Sequence, residues 1–153
     1  MLILKQYTIV YSVSNNLHSH RHCVYRITLH IVFVTKYRKK VITAQILERL
    51  REIFSRLCQN QKSELLEFSG EEDHVHLLVD ISPDVSLSKL VNTLKTISSR
   101  MIRKEFADHI NKFYWKPVFW TGAYCVISAG GAPLEVLKTY IQNQNEPEDP
   151  VRR

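Results

Sequence analysis

One short run limits the fold of this chain more than any other: Gly70-Glu-Glu-Asp-His-Val-His-Leu-Leu-Val-Asp80. It is brief, β-branched at intervals and led in by the turn-like pair Ser69-Gly70, so it reads as a strand. On a strand, residues i and i+2 face the same side. His74 and His76 therefore project together, while Val75, Leu77 and Val79 turn toward a core. Two readings fit the pair. Neutral imidazoles side by side on a rigid element can form half of a metal site. They can equally be two solvated histidines on the open face of a half-buried sheet.

With 153 residues, the chain is long enough for one domain with a substantial core. Its net charge of +6 points to a polyanionic partner, with nucleic acid first and an anionic membrane surface second. A merely basic soluble protein is the plain alternative. Cys23, Cys58 and Cys125 are odd in number and far apart, so neither a disulfide framework nor a Cys-based metal motif follows, and a reducing cytoplasm fits best. No apolar run approaches the length of a membrane helix, and Met1–Val13 lacks a clear signal-peptide cleavage site, so no membrane association is expected.

The rest of the chain alternates between two periods. Gln6–Val13 reads as a strand, broken by Ser14-Asn15-Asn16. From Tyr25, the residues Tyr25, Ile27, Leu29, Ile31 and Phe33 alternate with a second face that carries Arg26 and His30, which predicts a strand. The basic cluster Lys36-Tyr37-Arg38-Lys39-Lys40 follows; it can hold phosphates and stack a base, or be a solvated turn. Thr43 can cap a helix running to about Asn60, with Ile46, Leu47, Leu50, Ile53, Phe54 and Leu57 on its apolar stripe. Ser63–Ser69 is a strand in hairpin with the histidine strand. Ser86 can cap a second helix whose polar side carries Lys89, Lys95, Arg100, Arg103 and Lys104. That side can face a phosphate backbone or simply be solvated. The aromatic run Phe113–Trp120 can stack on bases or fill a core. Ala123–Ser128 is a further strand; after Gly130-Gly131, Pro133 suits the first turn of a last helix, Leu134 to about Asn143.

This order predicts an α+β protein: a ferredoxin-like (RRM-like) split β-α-β-β-α-β antiparallel sheet, helices on one face, the other face open and holding His74 and His76. The last helix carries Tyr140 and, four residues on, Gln144, which share a helix face. A tyrosine hydroxyl can act as a covalent nucleophile and a glutamine carbonyl can bind a metal, although a tyrosine in such a place can also simply pack.

Taken together, four pieces resemble one family. They are Ile27–Lys40 (ITLHIVFVTKYRKK), Gly70–Val79 (GEEDHVHLLV), Val118–Val126 with its Phe119-Trp120, and Leu134–Gln144 (LEVLKTYIQNQ). The family is that of the small single-tyrosine HUH (TnpA-like) transposases of insertion sequences that move as single-stranded DNA. The resemblance implies a catalytic domain over residues 21–145, an N-terminal extension over 1–20 and a flexible tail over 146–153. It implies that His74, His76 and Gln144 hold one Mg2+ or Mn2+ ion. Asp73 and Glu72 flank the histidines and can tune them, while Asp73 is expected to point away from the histidine face and is not counted as a ligand. It implies Tyr140 as the nucleophile, a 5′-phosphotyrosine intermediate and no nucleotide cofactor. The DNA contacts would come from Lys36, Tyr37, Arg38, Lys39, Lys40, Lys95, Arg100 and Arg103, and the partner would be single-stranded DNA with hairpins. Gly130 and Gly131, which on their own fit a hinge or a tight turn, become hinge candidates, since the family's members are dimers with active sites shared between subunits. Two other functions stay open: a domesticated repeat-associated HUH nuclease, and a non-catalytic single-stranded nucleic-acid binder. The binder would carry stacking aromatics on the open sheet face, where this chain has His30, His74 and His76.

Overall fold

A computed structural model gives the fold, and the structure describes residues 17–129 and residue 142. The expected strand Gln6–Val13, the hinge candidates Gly130 and Gly131, the last helix with Tyr140 and Gln144, and the tail lie outside the described residues.

Two short strands, β1 (His18–His20) and β2 (Cys23–Tyr25), form a hairpin. The domain boundary expected at residue 20 falls inside it. His18 and His20 stack on Tyr25, and His18 pairs with Asp80. The main sheet has four strands: β3 (Ile27–Val34), β4 (Ser63–Gly70), β5 (His74–Ile81) and β6 (Cys125–Ser128). Their spatial order is β4-β5-β3-β6, with every neighbouring pair antiparallel. Helix α1 (Ala44–Asn60) connects β3 to β4, and β5 lies between those two strands. Helix α2 (Leu87–Glu105), followed by the short α3 (Ala107–Ile110), leads from β5 toward β6 across β3. This is the expected split β-α-β-β-α-β sheet.

Local chemistry sets the helix starts. The Thr43 hydroxyl accepts from the Ile46 amide (3.2 Å), and Ser86 accepts from Lys89 (3.5 Å), each satisfying one orphan donor of a first turn. Ile46, Leu50, Ile53, Phe54 and Leu57 of α1 and Leu90, Val91, Leu94 and Ile102 of α2 are buried on one side of the sheet with Ile31, Phe33, Val75, Leu77 and Val79. Arg49 ties the two helices together by a two-pronged contact to Glu105 (2.8 and 2.9 Å). Of the aromatic run, Tyr114, Phe119 and Trp120 are core residues and Trp115 is exposed. Trp120 donates to the buried Ser98 hydroxyl (2.9 Å).

Two expectations are corrected. The strand predicted from Tyr25 starts at Ile27, because Tyr25 belongs to the hairpin. The second sheet face is not open: Val32 and Val34 are buried there, with Cys125 and Ile127 packed against them. The reason lies in Ile31-Val32-Phe33-Val34, where apolar residues run without alternation, the mark of a strand covered on both faces.

Candidate metal centre and nucleic-acid interface

His74 and His76 open β5, opposite Val34 and Val32 of β3. An inner strand bonded on both sides fixes their backbone. The two rings lie 5.0 Å apart, centroid to centroid, and nearly perpendicular at 83°. Their relative exposures are 5% and 9%, so the solvated reading of the pair does not hold. His30 is buried on the same face, as its position opposite Leu78 requires.

Burial decides the protonation of His76 and His30. It pushes His76 down to about 3, with the nearby His74 and His30 adding to the effect, so His76 is neutral at any ordinary pH. Burial also lowers His30. Asp73 behaves in the opposite sense. A hydrogen bond from His74, then the charges of His74 and Arg38, hold its carboxyl below the usual range against the effect of burial. An ionised carboxylate only accepts, so the His74 Nδ1–H donates to Asp73 Oδ1 at 2.7 Å. In the uncharged ring the lone pair is then on His74 Nε2, which is buried and has no hydrogen-bond partner among the described residues. Asp73 therefore does not point away as expected. It precedes the first residue of β5, where strand alternation no longer applies.

A metal ion fits this donor set. Two buried imidazoles, one oriented by a carboxylate, are the usual preparation of histidine ligands. Among the described residues no three His, Cys, Asp or Glu side chains converge on a possible ion, so an ion held by His74 and His76 would need further donors of another residue type or from outside those residues.

The basic cluster folds into a tight 3-10 turn, Lys36–Arg38. Tyr37 and Arg38 adopt left-handed backbone angles, with φ of 59° and 50°. Arg38 is the member that reaches the partner of His74, its Nε donating to Asp73 Oδ2 at 3.3 Å. The Lys36 ammonium sits over the Tyr37 ring, Lys39 is half-buried and Lys40 is exposed. On α2, Arg100 is exposed. Lys95 turns inward: its ammonium donates to the carbonyls of Thr121 (2.7 Å) and Ala123 (3.3 Å), and burial lowers its pKa. Lys95 and Arg103 line a groove of about 480 Å³ between α2 and residues 117–124, and Lys95 also lies over the half-exposed Tyr124 ring. The structure thus joins Arg38 to His74 through Asp73, while Arg103 and Lys95 lie along the groove. No helix among the described residues is long and apolar enough to cross a membrane.

The fold is an α+β antiparallel sheet, and a protein of known structure shares it. The crystal structure of a candidate transposase from Deinococcus radiodurans R1 superposes with a TM-score of 0.75 at 26% identity, covering 85% of this chain and 99% of that one. The chain belongs to the IS200-like transposase family, whose model (Transposase IS200 like) matches residues 23–144. The Salmonella typhimurium transposase for insertion sequence element IS200 is 32% identical over 129 residues, 84% of this chain and 81% of that protein. The ISDra2 transposase TnpA of Deinococcus radiodurans is 25% identical over 125 residues, 82% and 89% of the two chains.

Proposed function

We propose that this transposase cleaves and rejoins single-stranded DNA at insertion-sequence ends, with Tyr140 as the nucleophile and His74, His76 and Gln144 as the ligands of one Mg2+ or Mn2+ ion. The observation that carries the reading is the prepared histidine pair: both rings buried, His76 uncharged, and His74 Nε2, across the ring from the nitrogen that meets Asp73, without a hydrogen-bond partner among the described residues. A divalent ion bound there would polarise the scissile phosphate and stabilise charge on the departing oxygen. The Tyr140 oxygen forms a bond to phosphorus as the bond to the 3′ oxygen breaks. The tyrosine proton is released, the 3′ oxygen takes one up, and a 5′-phosphotyrosine and a 3′-hydroxyl result. The phosphate ester is conserved in the covalent link, so rejoining is the reverse attack by a 3′-hydroxyl and needs no nucleotide cofactor.

The substrate in this reading is single-stranded DNA with hairpins. Lys36, Lys39, Lys40, Arg100 and Arg103 face phosphates, Lys95 braces the groove wall, and Tyr37 offers a stacking surface. The protein acts as a homodimer in which the tyrosine helix of one subunit completes the histidine site of the other, with Gly130 and Gly131 as the hinge. It works in the cytoplasm, where the free thiols Cys23, Cys58 and Cys125 stay reduced.

The test is incubation with labelled single-stranded DNA from the flanks of its own gene and Mn2+. A covalent protein–DNA band is expected, absent in Tyr140→Phe although that variant still binds the strand. A band that survives Tyr140→Phe would mean another nucleophile and would overturn this assignment.

A further inference from the structure

We propose that Asp73 positions His74 and that Arg38 tunes Asp73, so that a phosphate captured at the basic turn strengthens His74 as a metal ligand. This rests on the metal reading above.

Segment 35–42 grips the residues just ahead of β5. The Thr35 amide donates to the Asp73 carbonyl at 2.9 Å, the Thr35 hydroxyl is shared between the carbonyls of Lys39 (2.7 Å) and Asp73 (3.1 Å), and the Ile42 amide donates to the Glu72 carbonyl at 2.9 Å. Within this grip Tyr37 and Arg38 hold left-handed angles that non-glycine residues rarely adopt. The strained turn brings the Arg38 guanidinium to one oxygen of Asp73, while the other oxygen holds the His74 Nδ1–H. The two contacts are unequal: 2.7 Å to the histidine, 3.3 Å to the arginine. Access is unequal too, since the Arg38 side chain is 31% exposed and that of Asp73 only 13%.

A solvent-borne phosphate can therefore engage Arg38 but hardly reach Asp73. Arginine prefers a two-pronged phosphate contact to a single carboxylate contact through Nε. When Arg38 shifts to a phosphate, the Asp73 charge is left to His74 alone. The Nδ1–H···O bond strengthens, and Nε2 becomes a better donor. Because the coupling is a free energy between two sites, metal must strengthen strand binding by the same factor.

The experiment uses the full chain labelled with 15N, and two readouts. In metal-free protein, long-range nitrogen–proton NMR reports which His74 nitrogen carries the proton. Free Mn2+, followed by electron paramagnetic resonance, gives metal affinity with and without a short oligothymidylate. The wild type should show the Nδ1–H form. Asp73→Ala should lose it and bind Mn2+ about tenfold more weakly. Arg38→Gln should bind Mn2+ about fivefold more tightly than wild type without DNA, and oligothymidylate should then add less than it does to wild type.

An unchanged tautomer in Asp73→Ala, or a DNA-free affinity in Arg38→Gln no higher than wild type, overturns the proposal. If Asp73→Ala folds poorly by circular dichroism, Asp73→Asn decides. It keeps an acceptor without the charge, so weaker Mn2+ binding supports the proposal and wild-type binding defeats it. If wild type takes up no Mn2+ in either condition, the metal reading of the site fails, and the His74 tautomer alone upholds or overturns the role of Asp73.

Discussion

Replacing Gly70 with alanine should disturb the histidine strand from outside the site. Gly70 ends β4 opposite Val75. A methyl on its Cα would lie 2.8 Å from the His74 carbonyl oxygen, 2.9 Å from Leu47 Cδ1 and 2.9 Å from Val75 Cγ1. The two side chains can shift by rotation. The carbonyl cannot, because it is part of β5 and accepts the Glu71 amide at 2.9 Å. Overpacking of this kind costs about 1–3 kcal/mol. A weakened hairpin hydrogen bond adds about 1 kcal/mol, and the stiffer unfolded chain returns about 0.5 kcal/mol. The net loss should be about 1.5–3.5 kcal/mol, or roughly 5–10 °C in Tm for a domain of this size. Urea unfolding measures it as a lower midpoint at unchanged slope. In a Leu47→Ala background the loss should shrink yet remain, since the carbonyl clash persists. Stability within about 0.5 kcal/mol of wild type, or full rescue by Leu47→Ala, would refute the claim that the backbone contact is limiting.

Three further predictions concern charge and assembly. His76 titrates near 6.5 when unfolded but only near 3 when folded, so the unfolded state binds the extra proton between those values. Stability should be full above about pH 6.5 and fall as pH drops, by up to about 1.4 kcal/mol per unit from this group; urea midpoints across pH should show the slope flattened in His76→Asn. Neutralising Lys36 and Lys39 together should reduce the log–log salt slope of single-strand binding by about 1.4, and an unchanged slope would place the strand elsewhere. Mixing His76→Ala with Tyr140→Phe subunits, each inactive alone, should restore cleavage if sites are shared across the dimer; silence with heterodimers present would mean each site is built within one chain.

Much of this architecture could be read from residue order. Thr43 and Ser86 mark both long helices because a hydroxyl ahead of an apolar stripe has a single efficient use. The His-Val-His spacing placed both rings on one face by strand geometry alone. What escaped depends on contacts between distant segments. The covered second face was signalled by Ile31–Val34 but masked by the clean alternation before it. No local rule brings Arg38 to Asp73 across 35 residues, because that contact needs two consecutive left-handed residues that are not glycine. Lys95 looked like a solvated cation by helical periodicity, and its inward turn follows from the carbonyls of Thr121 and Ala123 presented by an irregular segment.

The place of β5 inside the sheet also bears on when the site exists at all. Its β4 side closes through a hairpin, a local event, whereas its β3 side pairs Val34 with His74 across the whole of α1 and β4. Such distant pairings form late, after the long intervening loop has been closed. Once formed, the strand has no free edge from which to fray. The amides of β5 should therefore exchange with deuterium at the rate of whole-domain opening. In this molecule the histidine pair is present or absent together with the fold, and no partial opening can loosen it while the sheet stands.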